Sequence, residues 1–195
     1  MNFPEFKDCL LTLSEIIYFD SNEYLREKTS NPFRMKEIID IAENLLANIT
    51  NEDEKYFLMG TLGNLYRIYG EQQKAVKILT ECVTIANNQN TSNREIVALI
   101  RLGEAIKYND NPMKALEIFN EVLEKCKANN NLLYLDFAIQ HKGKCLLELG
   151  GFVEAEKCFK EALKLREFKG DVSLIESTRQ ALNFIKKRNA KYFTE

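Results

Sequence analysis

The sequence predicts an all-α fold, an α-solenoid of antiparallel helix hairpins that ends in a C-terminal capping helix. Two observations lead to this prediction: a block of sequence occurs three times at a fixed period, and apolar residues within each block are spaced as on one helix face. The composition agrees, because 195 residues with 45% hydrophobic content, 29% charged content and only 3 Pro are typical of a globular domain. We therefore expect one repeat domain over residues 1–195.

The three blocks align at a period of 40 residues, as the positions of Gly63, Gly103 and Gly143 show. An alanine follows each glycine by 12 positions, and a large apolar residue follows that alanine by 4. The spacing predicts two antiparallel helices that cross closely, because a glycine on one and an alanine on the other let the backbones approach. The large residues, Phe119 and Phe159 among them, are expected in the core rather than around a cofactor.

The predicted elements follow in order along the chain. Residues 1–50 form a degenerate first repeat, with its first helix within residues 3–29 and its second helix beginning at the Asn-Pro pair that precedes FRMKEIIDIAENLL. The three clear repeats span residues 56–90, 96–130 and 134–168, with turns near Gly70, Asp110 and Gly150. Residues 171–189 form the capping helix, because an aspartate suited to an N-cap precedes it and a basic cluster lies near its end.

The pattern resembles the tetratricopeptide repeat (TPR), a helix-turn-helix unit with a Leu-Gly pair, a later alanine, an aromatic residue and another small residue. The resemblance covers residues 56–168, and its period of 40 exceeds the common TPR period of about 34. The extra residues lengthen either the helices or the loops between units. Such long repeats are similar to those of kinesin light chains and bacterial peptide-sensing regulators. The resemblance implies a right-handed superhelix whose concave face, lined by the first helix of each pair, binds extended peptides or partner helices.

The register of the glycines selects the side chains expected on that concave face. The candidate peptide-binding residues are Asn64, Arg67, Arg101, Glu104, Lys107, Tyr108, Gln140, His141 and Lys144, and Ile68 and Glu148 are expected beside them. Cations outnumber carboxylates in this set, which favours an acidic or carboxylate-bearing ligand. The alternative for each charge taken alone is a solvated helix face with local pairs such as Arg101 with Glu104.

Charge and cysteine content bear on partners and location. The chain has 27 Lys and Arg against 29 Asp and Glu, so no basic excess favours nucleic-acid binding. The 5 cysteines include no CxxC pair and suit free thiols in a reducing compartment. No apolar run approaches the roughly 20 residues of a membrane span, and the N-terminus carries acids where an export signal carries basic residues. We expect a cytoplasmic protein with no nucleic-acid or membrane partner.

The chain offers little for catalysis. His141 is the single histidine, and the sequence contains no GxGxxG, GxxxxGK[ST], GxSxG or HExxH motif. We therefore expect no enzyme activity, no catalytic residues, no metal site and no cofactor. His141 is expected in the groove or in packing, and Cys145 and Cys158 are expected as small core residues.

Three functions are compatible with these observations. The first is a non-enzymatic interaction module, or scaffold, that binds an acidic peptide or partner helix in its concave groove. The second is a regulatory sensor of a small peptide or metabolite, and the third, which the charge disfavours, is a nucleic-acid-binding helical repeat. Two points stay open: whether Phe3, Phe6, Leu10 and Leu11 pack on the first repeat or form a surface for homo-oligomerisation, and whether the tail KYFTE fills the groove.

Overall fold

The structure is a computed structural model that describes residues 1–89, 91–128 and 130–192, with side chains described up to residue 188. Its helices are α1 (Phe3–Leu11), α2 (Pro32–Asn48), α3 (Glu52–Tyr69), α4 (Gln72–Asn88), α5 (Ser92–Tyr108), α6 (Pro112–Ala128), α7 (Leu135–Glu148), α8 (Phe152–Lys169) and α9 (Val172–Tyr192). Two strands, β1 (Ile17–Asp20) and β2 (Arg26–Thr29), lie between α1 and α2, with short 3-10 turns before and between them. The predicted all-α solenoid is confirmed, with one β-hairpin added to it.

Three antiparallel hairpins, α3–α4, α5–α6 and α7–α8, form the body of the solenoid. The turns contain Gly70, Asp110 and Gly150 at positive φ angles of 107°, 55° and 81°, which end one helix sharply and let the next return alongside it. The long period lies in the helices themselves, since α5 and α6 each have 17 residues.

The repeated glycines lie where paired helices cross. A Cβ atom on Gly103 would lie 2.7 Å from the ring of Phe119, and one on Gly143 would lie 2.7 Å from the ring of Phe159. Both rings are fully buried, as is Ala115 on the facing helix. The packing therefore has no room for a side chain at either glycine.

Gly103→Val tests this crossing. We expect the free energy of unfolding to fall by about 3 kcal/mol, because the added methyl groups displace the Phe119 ring from a closely packed site. Urea unfolding measures the change. The control is Asn120→Val on α6, which places the same side chain at an exposed helical position and should change stability by less than about 0.5 kcal/mol. Equal stability for the wild type and Gly103→Val would contradict the close crossing.

The N-terminal segment contains a hairpin that the sequence analysis does not predict. The helix expected within residues 3–29 is α1, which ends at Leu11, whereas residues 17–29 form an antiparallel hairpin in which Phe19 pairs with Glu27. The run Ile-Ile-Tyr-Phe explains the change, because β-branched and aromatic residues favour strands. Tyr24 and Leu25 turn the chain at φ of 51° and 63°. A two-stranded hairpin is marginal by itself, so its stability depends on contacts with the solenoid.

The helix α1 packs on the first repeat. Phe6 is fully buried, Leu10 packs against the main core, and the ring of Phe3 meets that of Phe57 edge-on at 5.5 Å. Leu11 points outward, with 76% of its surface exposed. Of the tail KYFTE, residues 193–195 lie outside the described residues.

A buried ionic network attaches α9 to the last hairpin. Arg166 Nε lies 3.0 Å from an Asp136 carboxylate oxygen, and Arg166 Nη1 donates to Thr178 Oγ1 at 2.7 Å. Lys169 also pairs with Asp136. Asp136 and Thr178 are fully buried and Arg166 is 2% exposed, so α7, α8 and α9 share one desolvated polar contact.

None of the helices in the described part of the chain combines the length and the apolar character of a membrane span.

Candidate functional site

The β-hairpin lies across the face formed by the first helices of the repeats. Glu27 pairs with Arg67 of α3 at 2.6 Å, and its backbone N–H donates to the hydroxyl of Tyr108 on α5. Arg26 pairs with Glu148 of α7 at 2.8 Å and donates to the carbonyl oxygen of Lys107 at 3.0 Å. One short segment of chain therefore covers the part of the concave face where α3, α5 and α7 end.

The hairpin and the ion pairs bury most of the candidate residues. Those with 8% or less of their surface exposed are Arg67, Ile68, Glu104, Lys107, Tyr108, Gln140 and Lys144. The structure brings the set together on one face. The alternative of a solvated helix face is wrong for these buried members, but local pairing does occur, since Lys107 Nζ lies 3.3 Å from a Glu104 carboxylate oxygen. The expected Arg101–Glu104 pair is also absent among the described residues, because Glu104 is directed to other cations instead.

Glu104 lies at the centre of a buried charge cluster. Its carboxylate lies 3.3 Å from Lys107 Nζ, 3.7 Å from Arg67 Nη1 and 2.9 Å from His141 Nδ1. Burial alone would raise the pKa of Glu104, but His141, Lys107 and Arg67 together hold it well below the ordinary value of 4.5. Burial lowers the pKa of His141, with Glu104 opposing that effect, and the imidazole ring stacks on Phe119 at 5.8 Å. These charges stabilise one another and are not available to a ligand.

Three polar side chains of the concave face differ from this cluster, because they have no ionic or hydrogen-bonding partner in the described part of the chain. Arg101 and Lys144 have no carboxylate within ion-pair distance, and neither amide atom of Gln140 has a hydrogen-bonding partner. Burial lowers the pKa of both cations. The Lys144 ammonium lies over the ring of Phe19 at 4.7 Å. We call Arg101, Gln140 and Lys144 the unpaired set.

Gly60 makes the position of Arg101 possible. A Cβ atom on Gly60 would collide with the Arg101 guanidinium, so any other residue at position 60 would displace this cation. The sequence register places Arg101 on the concave face but does not reveal this dependence. Gly60 therefore belongs to the site although it carries no side chain.

Two of the cavities beside the hairpin share lining residues. The larger, of about 500 Å³, lies between Phe19, α7, α8 and α9, and the smaller, of about 330 Å³, lies between α3, α5 and α7. Glu27, Phe137 and His141 line both cavities, so the two adjoin along the face. We call the pair of cavities the channel. Its walls combine aromatic surface with the unpaired set, which is the composition expected of a ligand site.

Sequence reasoning missed several residues that line the channel. Helix α9 contributes Ser177 and Gln180, which lie 40 residues after Phe137 and Gln140, so extending the repeat period by one unit could have found them. Phe19 and Glu27 of the hairpin carry no repeat signal. The only sequence signal that could have indicated them is the strand-forming run Ile-Ile-Tyr-Phe before the turn.

The remaining candidates for chemistry are groups of metal-ligating side chains and the cysteine thiols. No cluster of three or more His, Cys, Asp or Glu side chains that could hold a metal ion occurs in the described ranges. Cys145 is buried and Cys158 partly buried, and burial raises the pKa of both thiols. These two cysteines therefore have the environment of packing residues rather than nucleophiles.

Comparison with known proteins identifies the fold. No protein-family model matches the chain, and no curated protein is similar to it in sequence. Among solved structures, TPR-like repeats of a putative kinesin light chain from Podosopora anserina superimpose with a TM-score of 0.59 at 14% identity, covering 81% of this chain and 80% of that one. The chain has a TPR-like fold.

Two further structures share this TPR-like fold. A Rap protein complexed with Competence and Sporulation Factor has a TM-score of 0.72 and 18% identity, over 84% of this chain and 45% of that one. PlcR of Bacillus thuringiensis, in complex with the peptide PapR7 and DNA, has a TM-score of 0.66 and 16% identity, over 76% of this chain and 53% of that one. The chain thus spans about half the length of these two proteins. The predicted resemblance to TPR proteins is confirmed at the level of fold.

Proposed function

We propose that this protein is a non-enzymatic interaction module that binds an extended, carboxylate-bearing peptide in the channel, either a free peptide or a segment of a partner protein. The observation that carries the proposal is the unpaired set, Arg101, Gln140 and Lys144, on the wall of the channel. The Gln140 amide is buried without a partner, which is costly, and a ligand that supplies partners gains the corresponding free energy.

The chemistry of the unpaired set matches a peptide. Gln140 both donates and accepts hydrogen bonds, so its amide suits a main-chain peptide group. Arg101 and Lys144 suit carboxylates, and Arg101 can bind one through two N–H groups. The aromatic surface of Phe137 and Phe19 suits an apolar side chain between these polar contacts.

The hairpin supports the same ligand chemistry from within the chain. It is an extended segment whose carboxylate, that of Glu27, pairs with Arg67 and whose backbone bonds to Tyr108. The concave face therefore already holds one extended segment through a carboxylate and a backbone N–H group. Because Arg67 and Lys107 are engaged by internal carboxylates, the ligand's carboxylate is directed to Arg101 and Lys144.

The structural neighbours support a peptide ligand as well. The Rap protein is complexed with Competence and Sporulation Factor, and PlcR with the peptide PapR7 and DNA. The size of the channel favours a short peptide. This supports a second candidate function, that of a regulatory sensor of a small free peptide. The balanced charge of the chain disfavours a nucleic-acid partner, and its cysteine content favours a cytoplasmic location.

Selection from a random peptide display library on the full-length protein tests the proposal. We expect enriched peptides to carry an acidic residue or to require their free C-terminal carboxylate. Arg101→Gln should weaken the binding of a selected peptide about 10- to 100-fold, since a hydrogen bond to a charged group is lost. The matched control is Lys114→Gln, which removes an exposed cation from α6 and should leave affinity unchanged.

Two results would contradict the proposal. The first is a selection that yields no saturable binder. The second is a binder with equal affinity for the wild type and Arg101→Gln. To separate the two forms of the proposal, each selected peptide is measured free and fused within a carrier protein. Binding of only the free form favours the sensor, and binding of both favours the interaction module.

A further inference from the structure

The hydrogen-bonding pattern of the hairpin shows which way its backbone groups point. In an antiparallel pair, directly opposed residues alternate between those that exchange hydrogen bonds and those that do not. Ser30 N–H donates to Ile16 O at 2.8 Å, whereas Glu27 N–H points away from β1 and donates to Tyr108. Glu27 and its partner Phe19 are therefore a non-hydrogen-bonded pair. The backbone N–H and C=O of Phe19 must point away from β2.

The outer edge of β1 has no backbone hydrogen-bonding partner among the residues that the structure describes. The outer edge of β2 faces α5, as the bond from Glu27 to Tyr108 shows, so the outer edge of β1 lies on the opposite side. Phe19 lines the larger cavity there, together with residues of α7 and α9. No hydrogen bond joins the backbone of Phe19 to a residue in the described part of the chain. Phe19, the residue whose backbone groups point away from β2, therefore also lines the channel.

We propose that the peptide binds as a third strand on the free edge of β1, with its backbone paired to Phe19. This inference rests on the proposed function and specifies how the ligand is held. Strand addition uses backbone groups for affinity and alternate side chains for specificity. A helical ligand has its backbone groups bonded internally and cannot use this edge.

Two members of the unpaired set, Gln140 and Lys144, predict what the added strand presents beside Phe19. Successive side chains of a strand point to opposite faces, so every second residue of the peptide faces α7. The Lys144 ammonium lies over the Phe19 ring on this face, and Gln140 lines the same cavity. The peptide residue beside Phe19 is therefore acidic, and its neighbours point toward solvent as Tyr18 does.

The hairpin is a fixed wall and is not displaced by the ligand. Its turn residue Leu25 is 8% exposed and packs with Leu147 and Phe159. Lifting the hairpin would leave Glu148 without Arg26 and Arg67 without Glu27, which are both buried pairings. Peptide binding beside the hairpin avoids both losses.

Amide hydrogen exchange followed by NMR tests this geometry on the full-length protein, with a saturating display-selected peptide as the probe. The amide of Phe19 should exchange at least about tenfold more slowly when the peptide is bound, because its N–H gains a partner. The amide of Tyr18, already paired with β2, is the internal control and should not change. Methylating the peptide nitrogens one at a time should weaken binding about fivefold at alternate positions only.

The outcomes distinguish failure of strand addition from failure of the proposed function. Saturable binding with unchanged exchange at Phe19 would overturn strand addition and leave the proposed function standing. Faster exchange at Tyr18 would mean that the peptide displaces the hairpin, which also overturns it. Failure of every selected peptide to bind would remove both proposals.

Discussion

Glu104→Gln should lower the free energy of unfolding by about 3–5 kcal/mol near neutral pH. Glu104 is 3% exposed and lies among Lys107, Arg67 and His141. Glutamine keeps the shape of the side chain but removes its charge, which leaves two buried cations with less compensation. Urea unfolding of the full-length chain measures the loss.

The pH dependence of this variant provides a second readout. Because the folded pKa of Glu104 is lowered below 4.5, its contribution to stability is present above the unfolded pKa and is lost as the pH falls through the folded pKa. The stability difference between wild type and Glu104→Gln should therefore be constant near neutral pH and narrow on acidification below about pH 4.5.

A matched glutamate on the surface serves as the control. Glu124→Gln on α6 removes an exposed carboxylate, with 76% of the side chain accessible, and should cost less than about 0.5 kcal/mol. If Glu104→Gln behaved like Glu124→Gln, the charge cluster would not be a stabilising feature of the fold. A difference that stayed constant at every acidic pH would exclude Glu104 as the titrating group.

Asp136→Ala should lower the free energy of unfolding by about 3–5 kcal/mol, because it removes the carboxylate that pairs with buried Arg166. The loss should be largest at α9, which contacts this network through Thr178. Amide exchange in α9 should accelerate more than exchange in α3, on the far side of the solenoid. Glu167→Ala, which removes an exposed partner of Arg179, is the control.

A double variant separates charge from packing in this network. Asp136→Ala combined with Arg166→Met removes both buried charges and should recover most of the lost stability, since replacing a buried ion pair by apolar groups is often neutral. A double variant less stable than Asp136→Ala alone would show that Arg166 stabilises the fold mainly through Thr178 and the carbonyl oxygen of Leu174.

The repeats could be predicted from sequence because their cause is local and periodic. Gly103 and Phe119 are 16 residues apart and recur as Gly143 and Phe159 one period later, so the helix crossing leaves a regular signal. The same register placed the nine candidate residues on one face. Extended by one more period the register would reach Gln180, which the interpretation of α9 as a cap leaves out.

The covering of that face could not be predicted, because it depends on contacts between distant parts of the chain. Arg26 and Glu148 are 122 positions apart, and nothing in either local sequence indicates the other. The register of the repeats can show that cations outnumber carboxylates on a face. It cannot show that Glu27 will satisfy Arg67 and leave Arg101 without a partner, and this determines which cation is available to a ligand.

The hairpin also changes how the solenoid is expected to unfold. In a repeat protein each unit contacts only its neighbours, so units can melt one after another from either end. Here a single segment contacts Arg67 of α3, Tyr108 of α5, Glu148 of α7 and Phe184 of α9. Melting of any one unit then breaks contacts shared with the others, so fraying from the ends is opposed. We therefore expect a linear array held in this way to unfold with the cooperativity of a globular domain.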